Sequence, residues 1–276
     1  MTDPGYFGGA LPAAPPPPAR RSRTPLVLAL LGVLATVVAA GVVATTRVQS
    51  QALGTVHALE DPAPAADGWG PTYVDDDGRP ARWDPCSPIR YVVNPSWIPD
   101  AGRRDLQEAL RRITAASGLR FVSDGDTDEM PSRTRPAYQP GRYGERWAPL
   151  LIAWVPSTST DLGLGDGVQG VSMAVAVPGE DGPSLVSAQV VLDASRRLAS
   201  GFGPGTTDGE VLLHELAHAV GLGHVLDPTQ VMYPQATNSE SEFGAGDRAG
   251  LAALGAPAGC HPAPKARPLR LEPGAG

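Results

Sequence analysis

The sequence predicts an α+β fold: a mixed, five-stranded twisted sheet packed on three helices, in a larger N-terminal and a small C-terminal lobe. Three observations predict it. Five short runs rich in β-branched and apolar residues lie between residues 89 and 193. One helical pattern falls between the first two of them, and two more follow the last. Helices gathered mainly after the strands, rather than alternating with them, indicate an α+β layout.

The elements follow in order. Residues 1–24 include Pro15-Pro16-Pro17-Pro18, lack hydrophobic periodicity and read as a disordered cytoplasmic tail. From Pro25 to Ala44 the chain is apolar and uncharged, with Thr36 its one hydroxyl. At 1.5 Å per residue this run reaches about 30 Å, enough for a bilayer core. Residues 25–46 therefore read as a transmembrane signal-anchor helix. Arg20, Arg21 and Arg23 precede it and only Arg47 closely follows, which places the N-terminus in the cytoplasm and the rest outside the cell. A signal cleaved after small residues such as Val38-Ala39-Ala40, releasing a secreted protein, is the rival reading.

Residues 47–80 read as an extracellular stalk, with Pro62, Pro64 and the acidic turn Asp75-Asp76-Asp77-Gly78. The folded domain is expected over 81–261. Its first strand is Ile89 to Val93, ended by Asn94-Pro95. Asp100 is placed to cap a helix running to Ser117, with Leu106, Leu110 and Ile113 on one face and Gly118 ending it. Leu119 to Val122 reads as the second strand, and residues 124–147 as a polar insertion. Pro149 to Val155, Val171 to Val177 and Leu185 to Asp193 complete the strands, with a glycine-rich loop at 163–170. Thr207-Asp208-Gly209-Glu210 has the form of a capping box. Phe243 to Leu254 is the last helix, stopped by Gly255 and Pro257, and 262–276 reads as a disordered tail.

The helix opened by that capping box carries His214-Glu215-Leu216-Ala217-His218, then Gly221 and His224, three of the five histidines in the chain. Four residues apart on a helix, His214 and His218 project from one face about a turn apart, a spacing that suits two ligands of one tetrahedral zinc ion. Gly221 can take a positive φ, end the helix and turn the chain so that His224 supplies a third ligand. The fourth position is left to water, and Glu215 stands close enough to hydrogen-bond a zinc-bound water without being a ligand.

This pattern, followed by Val231-Met232-Tyr233-Pro234, resembles the zinc motif and Met-turn of the metzincins. Asp227-Pro228 and Met232-Tyr233-Pro234 make it most similar to the matrixins, although Val225 stands where matrixins usually have serine. The resemblance spans about 88–256 and is specific from Glu210 to Pro234. It implies an endopeptidase with one catalytic zinc held by His214, His218 and His224. In it Glu215 activates the water and Met232 forms a hydrophobic base beneath the ion. The Tyr233-Pro234 pair follows the matrixin pattern, in which that tyrosine does not bind metal. The resemblance also implies a substrate extended along an edge strand, here Val171 to Val177, and a side-chain pocket walled by residues 234–238.

Matrixins also carry a structural zinc. Only His57 and His261 remain for one here, so it is expected to be absent. Calcium in the 161–170 loop, through carbonyls, Asp161 and Asp166, competes with the reading of a plain flexible loop. Cys86 and Cys260 are the only cysteines. In an exported domain they read as a disulfide, the alternative being a latency thiol on the zinc. A net charge of −7 argues against nucleic acid as a partner, and the protein is read as a monomer with a protein or peptide substrate. The competing function is a non-catalytic zinc-stabilised binding module on the cell surface. Glu215 argues against it, since a structural zinc site does not need that carboxylate.

Overall fold

The computed structural model describes residues 49–50, 54–58, 68–203, 205–235 and 242–269. The cytoplasmic tail and transmembrane helix expected over 1–46 lie outside the described residues. Among those described, no helix is long and apolar enough to cross a membrane.

A five-stranded sheet organises the molecule. Its strands are Ile89–Asn94 (β4), Phe121–Asp126 (β5), Leu150–Val155 (β6), Gly170–Val177 (β7) and Ser184–Asp193 (β8), in the order β5-β4-β6-β8-β7. All neighbours are parallel except β7, which runs antiparallel to β8 at one edge. Every residue of β6 and β8 is buried, which requires cover on both faces; β6 is apolar throughout, while β8 also buries Ser184, Ser187, Gln189 and Asp193. On one face lie helices Gly102–Ser117 (α1) and Asp208–Ala219 (α3). Leu106, Leu110, Ile113, Leu212 and Leu216 share a core there with Ile152, Trp154, Val190 and Leu192. On the other face Leu162 and Leu164 of the glycine-rich loop pack on Ala153, Val155 and Val191.

Two boundaries differ from expectation. The second strand runs to Asp126, because its polar residues 123–126 pair with Tyr91 and Val93 around a bulge and all but Asp124 stay exposed, so no apolar pattern marks them. The first helix begins at Gly102 after Ala101, and no side chain caps it; Asp100 is not the cap. The polar insertion is ordered around a buried ion pair. Arg135 meets Glu129 at 3.0 Å, and Glu129 also accepts from Tyr143 and Gln139. It contains the one-turn helix Pro140–Tyr143 (α2).

The ends of the domain depart most from expectation. Strand Tyr73–Asp75 (β3) joins Gly54–Ala58 (β2) and Gln49–Ser50 (β1) in a second, three-stranded sheet. The chain from residue 68 is therefore no free stalk: Tyr73 is 5 % exposed, and Trp69 packs against the core. Two isolated aromatics make no periodic pattern, yet each covers core that would otherwise meet water. At the other end Cys86 and Cys260 form a disulfide, so no thiol is left to act as a latency ligand. Beyond it His261 is buried, its Nε2 near Ser184 Oγ and the Pro183 carbonyl. Residues 262–269 have no regular structure but are tied down. Trp147 Nε1 donates to the Pro264 carbonyl at 2.8 Å, and Leu269 packs with Val177 and Val186.

Candidate metal centre

Helix α3 begins where Thr207 Oγ1 accepts the Glu210 N–H at 3.2 Å, the cap foreseen from the sequence. The far end of α3 is shaped by Gly221, which adopts φ +102°. A Cβ there would also stand 3.0 Å from the Ala81 carbonyl oxygen and 3.1 Å from Leu185, so both conformation and space demand glycine. Trp83 Nε1 donates to the Ala219 carbonyl at 2.9 Å, satisfying one of the helix's terminal acceptors. Residues once read as stalk then hold the turn: Thr72 N–H donates to Gly221, and Gly223 N–H to Gly70, at 2.8 and 2.7 Å. The chain leaves this clamp aimed so that His224 meets the helix.

His214, His218 and His224 offer ring nitrogens all within 4.8 Å of one another. His214 Nδ1 lies 2.7 Å from the Val231 carbonyl, and His218 Nδ1 lies 2.7 Å from the Leu222 carbonyl. A carbonyl only accepts, so both Nδ1 atoms carry the proton and both Nε2 lone pairs are left for a metal. The His218 and His224 Nε2 atoms stand 3.1 Å apart. Two nitrogens on one tetrahedral zinc would be about 3.3 Å apart, so the cluster fits that ion nearly as it stands. Burial and the neighbouring imidazole of His224 lower the His214 pKa to about 4. Burial, with both other histidines, sets His218 well below its ordinary value, and burial lowers His224. All three are thus neutral and able to ligate at neutral pH.

Glu215 is 8 % exposed, and burial pushes its carboxyl up to about 8. It lies against the start of β7: a Cβ on Gly170 would come within 2.7 Å of Glu215 Cγ and 3.0 Å of its Oε1. Met232 is fully buried in the core beside the site. Its turn is closed by the Val225 N–H, which donates to the Met232 carbonyl at 2.9 Å.

Sequence reasoning read Asp247 only as part of a helix. It lies in the first turn of Ala245–Leu254 (α4), is wholly buried, and holds the methionine turn in place. It accepts from Val231 and Gly244 N–H, each at 2.9 Å, and from Met232 at 3.4 Å. The one available signal was a carboxylate three residues after a helix-opening glycine, which says nothing of a partner 16 residues upstream.

Asp161 and Asp166 do not gather into a metal-capable cluster. Among the described residues the only other such group is Asp84 with Cys86 and Cys260, whose sulfurs are spent on the disulfide. Calcium is therefore unsupported. Of the expected pocket wall, Pro234 and Gln235 are described and 236–238 lie outside the described residues.

With this geometry in place the comparison with known families is specific. Residues 142–254 match the family model for Matrixin, a span holding α3, all three histidines, Glu215, Met232 and Asp247. The chain carries a matrixin-like metzincin catalytic domain. The match supports a zinc metallopeptidase in general, and the family's metal agrees with the donor set of three neutral imidazoles. No curated protein matches the chain.

Proposed function

We propose that this protein is an endopeptidase that cleaves extended protein or peptide chains outside the cell, with His214, His218 and His224 holding zinc through Nε2 and Glu215 as general base. The observation that carries this reading is the placement of Glu215. It is buried beside three convergent metal-capable nitrogens and pressed against the first residue of an edge strand. A structural zinc site has no use for such a carboxylate.

Bound zinc would supply Lewis-acid polarisation of water and of the scissile carbonyl. Glu215 takes the proton from the attacking water and passes it to the leaving amine. Burial alone disfavours its ionised form, and a cation held by the neighbouring histidines restores it.

The edge strand supports binding of an extended chain. Gln169 lies opposite Asp193, and its carbonyl accepts the Asp193 N–H at 2.9 Å, so this is a hydrogen-bonded pair. Alternation along an antiparallel ladder then turns the N–H and C=O groups of Gly170, Ser172 and Ala174 away from β8. Those groups can add a substrate strand in register, beginning beside Glu215.

For location, the apolar run at 25–44 and its preceding arginines support a membrane anchor with the catalytic domain outside. N-terminal sequencing of the mature protein distinguishes the anchor from a cleaved signal.

Glu215→Ala tests the function. The variant keeps zinc by metal analysis and loses at least about 1,000-fold in hydrolysis of a casein or gelatin substrate. Retained turnover would remove Glu215 as the base. Wild-type cleavage that survives a zinc chelator would remove the zinc mechanism.

A further inference from the structure

The exposed edge of β7 does not run its full length. Of the outward-facing positions, Gly170 and Ser172 have no backbone partner among the described residues, but the Ala174 carbonyl is taken: Tyr73 Oη donates to it at 2.9 Å. Tyr73 is firmly set. It is 5 % exposed, its carbonyl accepts the Ala81 N–H at 2.8 Å, and its backbone pairs with Ala58 in the N-terminal sheet. Burial pushes its phenol up to about 12, so it remains a donor at any working pH.

A substrate strand lying about 4.8 Å from β7 would need its own N–H where the Tyr73 hydroxyl sits. Ala174 lies four residues, or about 13 Å, along the strand from Gly170 and so from the Glu215 carboxylate. Antiparallel addition to β7 places residues on the N-terminal side of the scissile bond opposite Ser172 and then Ala174.

We infer that Tyr73 is a specificity-determining stop on the substrate-binding edge. It ends strand pairing at Ser172 and limits recognition to about three substrate residues before the cut. The site therefore favours bonds in short exposed or flexible segments over those needing a long docked strand. The stop is delivered by residues preceding the family-like region, since Tyr73 lies outside the matched span of 142–254. This inference rests on the peptidase reading.

The test is a ladder of internally quenched peptides with one common sequence after the cleaved bond and one to six residues before it, read as kcat/KM on the zinc-loaded full chain. For the wild type the value rises to the third residue and is then flat. In Tyr73→Phe, which keeps the ring and its packing, the freed Ala174 carbonyl yields a further gain of about fivefold at the fifth residue. A wild-type profile that keeps rising to the fifth residue, or a Tyr73→Phe profile that plateaus with the wild type, overturns the stop while leaving the peptidase reading intact. Hydrolysis of no member of the ladder overturns both.

Discussion

The five-stranded sheet has two edges, built in opposite ways. At β5 the edge is polar and charged. Asp124 pairs with Arg90 and Arg146, and Asp126 with Arg103 at 2.7 Å, over a strand exposed at four of its six residues. At β7 the eight residues from Gly170 to Val177 include no charge, and two outward positions lie open beside the metal centre. Charged side chains on an edge discourage another strand from adding to it. The molecule thus blocks pairing at one edge and leaves the other available for a short distance, until Tyr73 closes it. An aggregation hazard is tolerated only where it can serve binding.

The largest expected effect concerns what covers the far end of β7. The Cys86–Cys260 disulfide closes a loop across 174 residues and fixes the segment whose Leu269 packs on Val177. Cys86→Ser should destabilise the domain by up to about 5 kcal/mol on the chain-entropy model. Hydrogen exchange should quicken first at Val175 and Val177 while β5 stays protected. Equal loosening of both edges would break the contrast.

Next, Ser172→Pro removes an outward N–H without costing a ladder bond, and the Ser172 hydroxyl has no partner among the described residues. We expect kcat/KM to fall about tenfold, with zinc content and melting temperature nearly unchanged. An unaltered kcat/KM would show that substrate does not pair with this edge.

A smaller effect lies away from both edges. Burial and nearby Asp105 raise the Asp208 pKa to about 6, above its ordinary 3.8. The folded state therefore binds this proton more tightly than the unfolded state, and the associated stability is lost as pH rises through about 4 to 6. Asp208→Asn should stabilise the protein at pH 7 by about 1 kcal/mol after allowing for solvent screening. The gain should vanish below pH 4 in denaturation curves taken across that range. Smallest of all, Asp124→Ala at the charged edge should cost under about 1 kcal/mol and leave kcat/KM unaltered. Its signature would be concentration-dependent association in light scattering, as the β5 edge loses its guard.

Legibility in the sequence followed the range of the interactions. The buried strands β6 and β8 were plain, because a strand covered on both faces is rich in apolar residues. The polar end of β5 was not, because an exposed edge carries no hydrophobic pattern. The metal-capable histidines were plain because four-residue spacing on a helix places His214 and His218 by geometry alone. Asp247 was not, because its role depends on the Met232 turn lying against α4. Trp69 and Tyr73 were read as stalk residues and the burial of His261 was not foreseen, because isolated buried side chains in irregular segments leave no periodic mark.

By itself the sequence determined the three metal-capable histidines, the glycine turn after the helix, the carboxylate beside them and the succession of strands along the chain. All of these depend on contacts within a few residues or on the burial pattern of single elements. The tertiary structure alone decided that both ends of the domain fold back onto it. It also decided that Asp247 fastens the methionine turn, and that the β7 edge is open from Gly170 to Ser172 but closed at Ala174. Those features join residues far apart in the chain, 101 positions for Tyr73 and Ala174 and 174 for Cys86 and Cys260, and no local pattern encodes where two distant segments of a chain will meet.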